Sequence, residues 1–278
     1  MVRGGLFVLV AVLCAVIAWL LIGHRERWVV YYGPDTPLKQ FKNFDVIVFE
    51  SGLHPPIAPL KAQNKTVLGY ISLGLADPYH GYADIYEEKH LLLPPDPLLN
   101  GLKVIDVRKP EWKEYVIGTL IPALLAQGFD GIMMDTLDNV TWPEEQSPRK
   151  YSGMQKAAAQ MVRDIRQHFP GIKIMMNRGF EILPAVVSSI DMVIAESIYT
   201  NIDPVTKQLV VVPEDIYEHY ANILKNAQKQ SNNLKVYTID YWPQDDARGI
   251  ERIYAAQRHT GFIPYVSTQD LQKVYIEQ

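Results

Sequence analysis

Several short apolar runs in this chain stop at a side chain that can do chemistry. GIMMD (131–135) ends at Asp135 and MVIAE (192–196) ends at Glu196. IKIMMN (172–177) ends at Asn177, with Arg178 next. LKVYTID (234–240) ends at Asp240, followed by Tyr241 and Trp242. VIVFE (46–50) ends at Glu50, and FIPYVST (262–268) reaches Ser267 and Thr268. A carboxylate against an apolar wall loses hydration unless it is paired or hydrogen-bonded. Two such groups on non-adjacent strands can face each other across a substrate. The natural chemistry for facing carboxylates is glycoside hydrolysis, with one as acid/base and the other as nucleophile or as base for water. A separation of about 5–5.5 Å gives retention and about 6.5–9.5 Å gives inversion. Asp135 and Glu196 are the pair to consider first, because each directly continues its apolar run. Asp138 lies three residues further on, where a solvated or helix-capping role is equally open.

Eight runs supply candidate strands: 28–32, 46–50, 66–73, 131–135, 172–177, 192–196, 234–240 and 262–268. They are continuous rather than alternating and rich in Val, Ile and Tyr, which suits parallel strands covered on both faces. Amphipathic segments separate the later ones. Residues 111–126 carry an apolar stripe, and Pro122 should kink or shorten that helix. Residues 152–168 open with Ser152 as the N-cap candidate and Gln155 three positions later. Residues 213–229 start with Pro213, Glu214 and Asp215, and residues 245–258 are closed by Gly261. The alternation predicts a (β/α)8 TIM barrel, an α/β fold whose active face is built at the C-terminal ends of the strands. An open doubly wound sheet is the runner-up. The first half is less regular, LKVID (102–106) reads as a short extra strand or rim segment, and no internal repeat is evident.

The remaining composition mostly excludes. A formal charge of −4 gives no general attraction to nucleic acid. The lone Cys14 rules out an intramolecular disulfide, and its place in an apolar run removes thiol catalysis. The histidines show no ligand spacing, and there is no phosphate-cradling glycine loop and no Gly-x-Ser-x-Gly elbow. An oxygen-only metal site on Asp135 and Asp138 is the lesser reading, so no metal or cofactor is expected. Residues 6–22, LFVLVAVLCAVIAWLLI, are uncharged and long enough for a spanning helix. They predict a transmembrane or signal-anchor segment over 1–27 ahead of a barrel domain over 28–278. The domain is then extracytoplasmic and membrane-anchored, or secreted if the segment is cleaved.

WVVYYG, DVIVFE, VLGYISLG, GFDGIMMDTLD, MMNRGFEILP, MVIAESIYT and VYTIDY together resemble, in content and order, the GH114-like glycoside hydrolases. That group includes endo-α-1,4-polygalactosaminidases and the hydrolase domains of exopolysaccharide-processing proteins. The likeness covers nearly all of residues 28–268. It implies a polysaccharide substrate rich in α-linked amino sugar, Asp135 as nucleophile and Glu196 as general acid/base of a retaining mechanism. It also implies a sugar cleft lined by Tyr70, Asp77, Asp138, Asn177, Arg178, Tyr199, Asp240 and Tyr241. One departure stands out. Leu75 occupies the place where the family commonly has Glu in a GY-x-S-x-GE pattern, with Asp77 kept nearby and His80 near the usual Arg. Leu75 motivates a second reading, a catalytically weak or inactive glycan-binding barrel.

Overall fold

The computed structural model describes residues 25–76 and 83–277. The apolar segment 6–22 and Asp77 lie outside the described residues. Among those described, no helix is long and apolar enough to cross a membrane.

Eight parallel strands form one sheet: β1 (Trp28–Tyr31), β2 (Val46–Phe49), β3 (Thr66–Ser72), β4 (Gly131–Asp135), β5 (Lys173–Asn177), β6 (Met192–Glu196), β9 (Lys235–Tyr241) and β10 (Ile263–Ser267). They pair in that order, and β10 returns beside β1, so the sheet is a nearly closed barrel rather than an open doubly wound one. Side chains alternate along each strand between the barrel interior and the helix layer. Trp28 fills the floor against Tyr237 at 5.2 Å and Tyr265 at 6.1 Å between ring centroids, which joins the first strand to the last two. The same alternation brings Tyr32, Tyr70, Asp135, Asn177, Glu196 and Tyr241 to the mouth.

Strands β2, β4 and β6 share a short repeat, contrary to the expectation that the sequence holds none. Asp45, Asp130 and Asp191 each stand one residue before β2, β4 and β6, and each is followed five residues later by an acid: Glu50, Asp135 and Glu196. The odd spacing puts the two acids on opposite faces. The floor acids accept backbone N–H groups from the preceding strand or its start: Arg27 at 2.8 Å, Val67 at 2.9 Å and Ile174 at 2.8 Å. Asp130 also pairs with Lys61, and Asp191 with Arg166.

Helix α1 (Pro110–Tyr115) passes through a π-helical turn (Val116–Leu120) into α2 (Ile121–Ala126). Pro122 has no N–H for the carbonyl of Gly118, and the ladder relaxes through a bond from Ile121 N to Val116 O. The expected kink is therefore absorbed as a wide turn. After β4 come α3 (Asp138–Gln146) and α4 (Met154–His168). Ser152 does not cap α4. Gly153 holds the N-cap position at φ 87°, and Glu144 accepts from Gly153 N at 2.8 Å and Gln155 N at 2.7 Å. A short hairpin that the sequence reading did not anticipate, β7 (Thr200–Ile202) with β8 (Leu209–Val211), follows β6. Helices α5 (Glu214–Gln230) and α6 (Ala247–Thr260) complete the outer layer. Residues 102–106 form the rim segment, through isolated bridges Leu75–Val104 and Leu92–Ile105.

Removing a floor acid strands a partly buried N–H group. Asp130→Ala and Asp191→Ala are each expected to lower stability by about 1–3 kcal/mol, read as a lower urea midpoint.

Candidate active site

Asp135 and Glu196 meet at one atom. Asn177 Nδ2 donates to Asp135 Oδ1 at 2.9 Å and to Glu196 Oε2 at 2.7 Å. Those two oxygens are therefore at most about 5.6 Å apart, the sum of the 2.9 and 2.7 Å bonds. Asn177 is 6% exposed, and its Oδ1 has no hydrogen-bond partner among the described residues. Glu196 is held at its other oxygen by Tyr241 Oη at 2.7 Å, and Asp135 Oδ1 also accepts from Thr136 N at 2.8 Å.

Burial pushes the Asp135 carboxyl up to about 6. The Asn177 bond opposes the rise, and the charge of Glu196 adds to it. Burial and the nearby carboxylate of Glu196 likewise raise the Tyr241 hydroxyl. Tyr32 lies in the same field. Its hydroxyl is raised by burial first, then by Asp135, Tyr70, Tyr241 and Glu196. The rings of Tyr32 and Tyr70 meet edge to face at 5.4 Å. Tyr32 was not among the residues singled out from sequence, although its even spacing from Trp28 places it on the interior face.

The residue after each central group is left-handed: Thr136 at φ 66°, Arg178 at φ 51° and Ser197 at φ 55°. Such a conformation costs about 1–3 kcal/mol for a non-glycine residue and persists where surroundings over-determine it. Thr136 shows how. Its hydroxyl accepts from Gly74 N at 2.8 Å and Leu75 N at 3.1 Å, and Ser72 Oγ stands 2.9 Å away. Gly74 is required there, since a Cβ would lie 2.0 Å from Thr136 O. Arg178 donates to Asp138 Oδ2 at 3.1 Å and to the Glu196 carbonyl at 2.7 Å.

The profile of glycoside-hydrolase family GH114 matches residues 17–278. The chain belongs to this family. The glycoside hydrolase domain of PelA from Pseudomonas aeruginosa is similar in structure, with TM-score 0.75 and 26% identity over 90% of this chain and 98% of that one. Aspergillus fumigatus Ega3, solved in complex with galactosamine, shares the fold with TM-score 0.62 and 15% identity over 89% of this chain and 92% of that one. A Deinococcus radiodurans protein is 24% identical, covering 84% of this chain and 76% of that protein.

In this GH114 barrel, Asp135, Asn177, Glu196, Tyr241 and Tyr70 gather at the mouth. Asp138, the first residue of α3, is half-buried and paired with Arg178. Burial raises its carboxyl, and Arg178 opposes that rise. Two expected cleft residues lie elsewhere. Asp240 points outward, because its neighbour Tyr241 points in. It is 0% exposed and accepts from Tyr199 N, Thr200 N and Oγ1, and Gln257 Nε2. Tyr199 packs its ring against Tyr217 of α5 at 5.3 Å, in the helix layer. Glu50 is taken up by its own turn, accepting from Gly52 N and Leu53 N. Leu75 is half-buried and packs against the core.

Asp135 binds its proton more tightly in the folded state than its ordinary value of 3.8 implies. Its contribution to stability therefore falls as pH rises from 3.8 to about 6, and stays low above that. Asp135→Asn keeps an acceptor for Asn177 and Thr136 and removes the buried charge. It is expected to raise Tm at pH 7 by roughly 4 °C. The gain should vanish below pH 3.8, as read by thermal unfolding across that range.

Proposed function

We propose that this protein is a retaining endo-glycosidase acting on α-linked, galactosamine-containing polysaccharide. The carrying observation is the single Asn177 nitrogen bonded to both carboxylates. A ceiling of about 5.6 Å between the bonded oxygens, from bonds of 2.9 and 2.7 Å, fits the close spacing of retaining pairs and leaves little room for a water between them. In the first step Asp135 attacks the anomeric carbon while Glu196 protonates the departing glycosidic oxygen. That leaves a glycosyl–Asp135 ester. Glu196 then takes a proton from water, which attacks the same carbon and frees Asp135. Tyr241 stays bonded to Glu196 through both steps, because a hydroxyl can donate or accept. The amino-sugar class is supported by family membership and by the galactosamine bound to Ega3.

The tether belongs to the same proposal. The apolar run ends at Ile22, six residues before Trp28, and β1 starts at the floor of the barrel. A membrane anchor there leaves the mouth facing away from the bilayer, toward an extracytoplasmic polymer. The packing of Leu75 into the core favours one competing reading, a barrel that binds glycan and cuts it weakly or not at all.

The test is release of reducing ends from partly deacetylated α-1,4-galactosaminan. Cleavage is expected, with losses of about 10³-fold or more in Asp135→Asn and Glu196→Gln, and a smaller loss in Asp138→Asn. Binding without cleavage by the unmodified protein selects the competing reading. The pH profile assigns the roles. With Asp135 as nucleophile, kcat/KM falls as pH drops through about 6. Asn177→Ala removes a bond that holds Asp135 down, so that limb should move to higher pH. A limb at about 6 that falls in the opposite direction would exchange the two roles.

A further inference from the structure

Helix α3 is the first of two helices between β4 and β5. Side-chain hydrogen bonds hold both of its ends. Asp138 at its start is held by Arg178, which follows β5, and Glu144 near its end caps the start of α4. Thr141 fixes the middle, donating to Glu181 Oε2 at 2.9 Å. Trp142 is the next residue, and its side chain is left open to solvent at 43% exposure. Trp28 and Trp112, by contrast, are fully buried. Trp142 lies one helical turn beyond Asp138 on the same face, which puts it beside the wall of the candidate cleft. Glu145 stands three residues further along that helix surface, and Glu181 reaches it through Thr141. Both glutamates are exposed.

We propose that Trp142, flanked by Glu181 and Glu145, is an outer glycan subsite that takes a protonated amino-sugar unit of a chain threaded through the mouth. An exposed indole offers the flat apolar face on which the C–H side of a pyranose ring stacks, and its π system attracts an ammonium group. The two carboxylates supply the opposite charge at the edge of that platform. A neutral sugar would use the ring alone, whereas an amino sugar uses all three groups. The subsite gives hold on a long chain remote from the bond being cut, and it rests on the proposed glycosidase reading for its substrate class.

Binding is measured with the full chain carrying Asp135→Asn, so that no cleavage intervenes, and a deacetylated α-1,4-galactosamine oligosaccharide is titrated calorimetrically. Adding Trp142→Ala is expected to weaken Kd about tenfold, and Trp142→Phe less than about threefold. Glu181→Gln is expected to weaken binding at low salt and to converge on its parent at about 0.5 M NaCl. The fully N-acetylated oligosaccharide should bind without sensitivity to Glu181→Gln. Equal Kd for Trp142→Ala and its parent overturns the subsite, as does failure of the oligosaccharide to bind at all. Reducing-end release by the unmodified protein is scored separately. If it does not cut but binding depends on Trp142, the glycosidase reading fails and the subsite stands. If it cuts and Trp142→Ala binds as its parent does, the reverse holds.

Discussion

One amide nitrogen with two hydrogens sets the geometry of the mouth. Asn177 Nδ2 can satisfy two acceptors only if both come within about 3 Å of it and lie in the amide plane's two donor directions. Asp135 and Glu196 are brought there from strands on either side of β5, so their spacing follows from the register of three adjacent strands rather than from loop conformation. The left-handed residues that follow, Thr136, Arg178 and Ser197, turn the chain away immediately after each group is delivered. That local strain is offset by side chains reaching back: the Thr136 hydroxyl to Gly74 and Leu75, and the Arg178 guanidinium to Asp138 and the Glu196 carbonyl.

The barrel architecture was legible because buried parallel strands write continuous apolar runs, and all eight predicted runs became strands of the barrel. Asp135, Asn177 and Glu196 were legible for the same reason, since a polar residue ending such a run has few other places to be. What failed was face. Asp240 and Tyr241 are adjacent, so only one of them can point inward, and the ending LKVYTID does not say which. Asp240 went to the helix layer, where Gln257 and the backbone at the start of the hairpin consume it. Tyr199 followed, because its own N–H is tied to Asp240 and its ring to Tyr217. Ser152 failed as a cap for another reason. A carboxylate from a different helix, Glu144, reached the start of α4 first, and local spacing is blind to such an acceptor.

The repeat on β2, β4 and β6 explains how one motif serves two ends of the barrel. In FDVIVFE, FDGIMMD and IDMVIAE the first acid and the last are five residues apart, so they lie on opposite faces and at opposite ends of the strand. The floor acid is useful to the fold: it accepts a strand N–H and, in two cases, pairs with a cation from the helix layer. The mouth acid of β4 is a burden to the fold, since burial raises Asp135 to about 6 and opposes its ionisation at neutral pH.

Glu50 shows that the motif does not by itself make a site. It occupies the same position on β2 as Asp135 does on β4, yet its carboxylate turns to the backbone of Gly52 and Leu53. The two acids that remain at the centre are those whose neighbouring strand, β5, ends in an amide able to donate to both. Asn177 is therefore the element that converts a repeated structural feature into a pair. Its remaining oxygen, buried and without a partner among the described residues, is an acceptor that the arrangement leaves unused.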